Sequence, residues 1–92
     1  MKKSTQNTGV QIPDNIAQIA LMVKKDWKNV YFGAVPYLDA MRSLHSVNDS
    51  YYEDSASSII NYFLANATTW RGEIARAVKS KLKQLVAQQN AD

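Results

Sequence analysis

From Ile59 onward, apolar residues recur at Ile59, Phe63, Ala67, Trp70, Ile74, Val78, Leu82 and Leu85, in steps of 4, 4, 3, 4, 4, 4 and 3. That is the period of a helix, not the alternation of a strand. Ile60, Leu64, Ala75 and Val86 widen the stripe into a core-facing band. The run has a weak point at Asn66-Ala67-Thr68-Thr69, because Asn tolerates the left-handed conformation that ends helices and Thr is a good N-cap. Gly72 weakens the following turn by about 1 kcal/mol relative to Ala. The pattern predicts two helices, over 51–66 and 69–89, joined by a tight turn; one long helix bent near Thr68 is the alternative. Ser50 and Glu53 have the spacing of a capping box at the start of this stretch, and Asp54-Ser55 offers a second cap four residues on.

The first half of the chain carries a second clear pattern. Ile16, Ile19, Ala20, Val23, Trp27 and Val30 line one side of a helix opened by Ile12-Pro13-Asp14-Asn15. Proline at the first helical position loses no hydrogen bond, and Asp14 suits the positive end of the helix dipole. Lys24, Lys25 and Lys28 fall in the last turns, where cations suit the negative end. The stretch 30–36 is dense in apolar and aromatic groups and reads as a mostly buried corner, with Gly33 free to take a positive φ and Pro36 biasing Val35 away from helix. A short helix over 36–45 follows, with Tyr37, Leu38, Met41 and Leu44 inward, and 46–49 is a polar loop.

These elements define an all-α fold: a small four-helix bundle-like domain with a C-terminal helical hairpin. The domain spans 12–89, with a flexible arm over 1–11 and a frayed end over 90–92. Its expected core is Ile16, Ile19, Val23, Trp27, Phe32, Leu38, Met41, Ile59, Phe63, Ile74, Val78, Leu82 and Leu85.

Composition narrows the chemistry more than it names it. Ninety-two residues allow one domain, which buries roughly 60–65% of its unfolded surface. With no cysteine there is no disulfide, thiolate metal site or cysteine nucleophile, and a chain this small without disulfides fits the cytoplasm. No apolar run approaches the ~18 residues of a membrane span, and 1–8 lacks the apolar segment of a secretory signal.

No constellation carries catalysis. His45 is the single histidine, near Asp49 and Ser50, but they straddle a loop without a nucleophile elbow. His45, Asp49, Glu53 and Asp54 fit neither zinc spacing nor the order of an EF-hand. Asp39 and Glu73 stand alone, and the three glycines are too scattered for a phosphate loop. The expectation is a non-enzymatic protein with no catalytic, cofactor or metal residues.

Two features point to binding. Residues 70–89 carry Arg71, Arg76, Lys79, Lys81 and Lys83 against Glu73, a local charge of 5 − 1 = +4. Arg76, Lys79 and Lys83 fall within about 60° on the helical wheel, and with Arg71 they could track phosphates; a solvated helix face is the plainer account. The second feature is an aromatic excess of two Trp, five Tyr and two Phe. Tyr51 and Tyr52 are adjacent at a helix start and cannot both face one core, which offers one of them to a partner.

Two strings add a resemblance. Trp27-Lys28-Asn29-Val30-Tyr31-Phe32-Gly33-Ala34-Val35-Pro36-Tyr37-Leu38-Asp39-Ala40-Met41 is the first, and the second is Tyr62-Phe63-Leu64-Ala65-Asn66-Ala67 leading to Trp70-Arg71-Gly72-Glu73. Together they cover under a third of the chain and resemble stretches in small uncharacterised bacterial proteins of the phage or mobile-element type. The resemblance implies a bacterial cytoplasm and a binding role, and it transfers no site residue. The expected function is protein–protein interaction or self-association through exposed aromatic residues, Tyr51 and Tyr52 among them. The alternative is nucleic-acid binding through Arg71, Arg76, Lys79 and Lys83. No membrane partner is expected.

Overall fold

A computed structural model describes residues 10–89. The arm expected over 1–11 lies outside them except for Val10 and Gln11, as does the end expected to fray over 90–92. Four α-helices follow in order: α1 (Ile16–Asp26), α2 (Val35–Met41, preceded by a 3-10 turn over Phe32–Ala34), α3 (Ala56–Ala65) and α4 (Glu73–Gln89). Between α2 and α3 stands a small antiparallel hairpin of β1 (Ser50–Tyr51) and β2 (Asp54–Ser55). The chain is therefore mostly helical, but it is not purely α.

The starts of α1, α3 and α4 depart from their sequence reading for local reasons, while α2 starts within one residue of its own. In α1 the Asn15 side chain accepts from the Gln18 backbone N–H at 2.9 Å, so Asn15 is the N-cap and Pro13 lies two residues ahead of it. Asp14, expected to serve the dipole, forms an ion pair with Lys81 of α4. The expected capping box at Ser50 and Glu53 does not form. Ser50 pairs with Ser55 across the hairpin, and α3 begins at the second candidate, where Ser55 Oγ accepts from Ser58 N at 3.1 Å. Tyr52 and Glu53 make the two-residue turn, and Tyr52 holds a left-handed φ of 56° that an aromatic side chain rarely adopts.

The stretch 51–89 holds two helices rather than one bent helix, but α4 starts at Glu73, later than expected. Asn66 ends α3 without turning left-handed: its φ is −104°, and its side-chain amide donates to the Tyr62 carbonyl at 2.8 Å. The positive φ falls on Gly72, at 113°, where the chain turns into α4 and the Gly72 carbonyl accepts from Arg76 N. Gly72 thus sits ahead of the helix, where its freedom is used, and not inside it.

Helix α1 packs on α2 and α4, and α3 packs on α2, α4 and β2. The pair expected as a helical hairpin, α3 and α4, is in contact across the 66–72 connection. The bundle-like arrangement is not established. With 7 residues α2 is about 10 Å long, against about 25 Å for the 17-residue α4, too short to run beside it as a fourth stave.

The core is one cluster built from all four helices, and its largest fully buried side chain is Phe63. Of the expected core, Ile74 is only partly buried, and Phe32 is not buried at all, being 79% exposed. The corner over 30–36 is likewise not mostly buried: Tyr31, Phe32 and Val35 are exposed and Ala34 is its one fully buried residue. The aromatic part of the core is instead Trp27 and Trp70, whose rings stack at 5.7 Å and 12°, each meeting Phe63 edge-on at 6.4 Å.

Two stability outcomes follow from this arrangement. Phe63→Ala is expected to cost about 3–5 kcal/mol, and Phe32→Ala to stay within about 0.5 kcal/mol, as urea midpoints at constant slope would show. At the hairpin turn, Tyr52→Gly is expected to leave stability unchanged or raise it by up to ~1 kcal/mol, while the β-branched Tyr52→Val lowers it by about 1–2 kcal/mol in the same assay.

Candidate functional site

The cationic residues of the C-terminal stretch do not lie as one free stripe along α4. Arg76 and Lys83 are exposed on the helix, but Arg71 belongs to the 66–72 connection. Lys79 is only partly exposed, and its Nζ donates to the Trp70 carbonyl at 2.7 Å while lying 5.9 Å from the Trp70 ring. This amine holds the connection onto α4, so Lys79 is a structural residue first. Lys81 is taken up by Asp14. Thr68, Thr69 and Arg71 also fall outside the helix, and the first turn of α4 carries the acidic Glu73. A helix entering DNA by this end would therefore present a carboxylate to the phosphates.

The positive charges are nonetheless close together. The Lys79 pKa is lowered, first by burial and then by the charges of Lys83 and Arg71. A lysine whose pKa falls on folding binds its proton more tightly in the unfolded chain. Its charge therefore costs stability below the folded pKa, and that stability returns as pH rises toward the usual lysine range. Among the described residues, Lys81 with Asp14 is the sole ion pair, so Arg71, Arg76 and Lys83 have no acidic partner there.

A groove continues this charge toward α1. One hollow of about 490 Å³ is lined by Met22, Lys25, Asp26, Lys28 and Ile74. A second, of about 430 Å³, shares Asp26 and Lys28 and is bounded by Asn29, Thr69 and Arg71 over Trp27 and Trp70. The Asp26 carboxylate between them accepts from the Trp70 indole N–H at 2.9 Å. Lys25 and Lys28 read in sequence as dipole partners at the end of α1, and only the fold brings Lys28 to the same hollow as Arg71.

The aromatic residues divide in a different way. Tyr52 is 87% exposed at the hairpin tip, and its ring meets Tyr51 at 4.7 Å, while Tyr51 is half-buried against the core. A larger surface, which sequence reasoning missed, lies across the 3-10 turn and α3. The Tyr31 and Phe32 rings are 4.9 Å apart, and the Tyr31 ring lies so close over Gly33 that a Cβ there would sit 2.5 Å from it and 2.9 Å from Asn66. Asn66 in turn binds the backbone of Tyr62, whose exposed ring meets Tyr37 at 5.3 Å. Tyr31 with Phe32 and Tyr37 with Tyr62 are thus two ring pairs, and Gly33 and Asn66 lie between them. No sequence signal marked it: the apolar register of the first helix reads on to Val30, whereas α1 ends at Asp26 with Trp27 as its C-cap.

The remaining polar candidates have structural work. Asp49 Oδ2 accepts from the backbone N–H groups of His45 and Ser46 at 2.9 and 3.2 Å, so it ties off the loop and does not orient the imidazole. Glu53 and Asp54 lie exposed on the hairpin, and Asp39 and Glu73 are exposed on separate helices. Among the described residues no three His, Cys, Asp or Glu side chains are grouped to hold a metal, and no helix is long and apolar enough to cross a membrane.

No protein family, characterised protein or solved structure matches the chain.

The crowding around Lys79 has a direct readout. In Lys83→Gln, the Lys79 pKa followed by side-chain NMR is expected to move part of the way back up, burial and the charge of Arg71 keeping the rest of the shift. An unmoved titration would mean that Lys83 does not press on it.

Proposed function

We propose that this protein is a non-enzymatic binding protein that docks another protein chain, a second copy of itself included, through the surface of Tyr31, Phe32, Val35 and Tyr62. The observation that carries the reading is Phe32, 79% exposed beside the exposed Tyr31 and Val35. Apolar surface left in water forgoes about 25 cal/mol per Å² of stabilisation, and a single aromatic residue presents on the order of 200 Å². Contiguous apolar patches on small domains mark interaction sites, and aromatic residues are enriched at the centres of interfaces.

The surface suits docking mechanically. The Tyr31 ring is seated on Gly33, which restricts its side chain before binding. Tyr52, held at a left-handed φ on the hairpin tip, is a second exposed aromatic contact. A domain of this size also gains core by associating. The resemblance to small phage-type bacterial proteins supports a bacterial cytoplasm as the setting.

Sedimentation velocity over a wide concentration range tests the self-association arm. The wild type is expected to associate with little dependence on salt, and Phe32→Ser to shift it to the monomer without changing its circular dichroism. If the wild type stays monomeric, a photocrosslinking residue placed at Phe32 is expected to give a discrete adduct in cell extract, and the same residue at the exposed Gln18 none. Absence of both self-association and a position-specific adduct would sink the reading.

A further inference from the structure

We propose that the groove between the end of α1 and the 69–74 segment, continued along α4, is a binding site for a single-stranded nucleic acid. Lys25, Lys28 and Arg71 would meet its phosphates at the groove, and Lys83 would meet them beyond it. This site is separate from the aromatic surface and does not rest on it.

Three observations converge. First, the cations form a connected tract. Lys25 and Lys28 line one hollow, Lys28 and Arg71 line the next, and Arg71 and Lys83 both act on Lys79. Around the two hollows the charge is +2, from Lys25, Lys28 and Arg71 against Asp26, or 3 − 1. Asp26 is also engaged by the Trp70 indole. A run of cations without acidic partners is the footprint of a polyanion, whose counterions they displace.

Second, the hollows themselves select the form of the ligand. They are adjacent, share the wall of Asp26 and Lys28, and measure about 490 and 430 Å³. Met22 and Ile74 contribute apolar surface to the first, and the second is lined by Asn29, Thr69 and the small exposed margins of the buried Trp27 and Trp70. A single strand can lay successive bases into such hollows while its phosphates follow the rim. A duplex keeps its bases stacked inside and would leave both hollows unfilled.

Third, the geometry disfavours duplex recognition by α4. Its first turn holds Glu73, and Lys79 is committed to the Trp70 carbonyl, so the helix lacks a free cationic face at its leading end. The carboxylates of an acidic peptide would match the charge, but its side chains have no flat body to occupy the hollows.

The test is fluorescence anisotropy of a labelled mixed-sequence single strand, with the matching duplex and poly-glutamate as competitors, from low to near-physiological salt. The single strand is expected to bind and to lose affinity steeply with salt, at a slope of about −0.7 per phosphate contact. Lys28→Gln and Arg71→Gln should each weaken binding several-fold. The triple variant Lys25→Gln/Lys28→Gln/Arg71→Gln should weaken it at least tenfold and flatten the slope by about 2. Arg42→Gln, on α2, should change affinity less than twofold. All four positions are exposed, so circular dichroism should not move.

Failure to bind at low salt would overturn the proposal. So would equal or tighter binding of the duplex, competition by poly-glutamate at matched charge concentration, an unchanged salt slope in the triple variant, or an equal effect of Arg42→Gln.

Discussion

The stack of Trp27 on Trp70, closed by the edge of Phe63, is the contact on which the rest of this fold depends. It joins the residue that ends α1, the connection before α4 and the middle of α3. Buried indoles bring polar obligations with them. The Trp70 N–H is met by Asp26 and its carbonyl by Lys79, so one residue draws α1 and α4 to the same point. Both groups would cost free energy if buried without partners. Their satisfaction fixes the path of the 66–72 connection, and that path brings Arg71 to the same hollow as Lys28. The candidate groove is thus a consequence of how the core closes.

The exposed aromatic surface follows from the same constraint. A domain this small has one core, and two tryptophans with Phe63 occupy its centre. Once Trp27 has turned inward as the last residue to bond into α1, the chain must leave the helix axis within a few residues. The 3-10 turn at Phe32–Ala34 makes this change of direction and buries Ala34, which carries Tyr31 and Phe32 to the outside. Close-packed interiors have no room for a further large ring without strain. The surface is therefore what remains when the volume of the core is already filled.

The helical register was legible in the sequence because it repeats over many residues. Ile16, Ile19, Val23, Phe63, Val78, Leu82 and Leu85 are buried as their spacing implies. What was illegible depended on few residues or on distant ones. The hairpin uses two residues per strand, too few for an alternation to show, and its turn places a tyrosine where glycine is the usual signal. Phe32 was misplaced because apolarity argues for burial but cannot say that Trp70, 38 positions away, stacks on Trp27 in the core instead. The cationic stripe was read from a helical wheel, which knows nothing of the carbonyl that claims Lys79 or of the Asp14 that claims Lys81. Lys25 and Lys28 looked like ordinary helix-end cations, and the hollow that Lys28 shares with Arg71 is a tertiary fact.

One short segment carries a residue of each proposed surface. Lys28 lines both hollows, and Phe32, four residues on, is the most exposed member of the aromatic surface. Four residues span at most ~14 Å even when fully extended. A folded partner seated on Phe32 would cover an area of about 800 Å², a patch wider than that separation. Such a partner would therefore overhang the groove or lie along its edge, where its own charge would add to or subtract from that of Lys28 and Arg71. If both are binding surfaces, occupancy of one would act on the other by sterics and charge across the segment between Trp27 and Ala34, which the aromatic stack holds at one end and the buried Ala34 at the other.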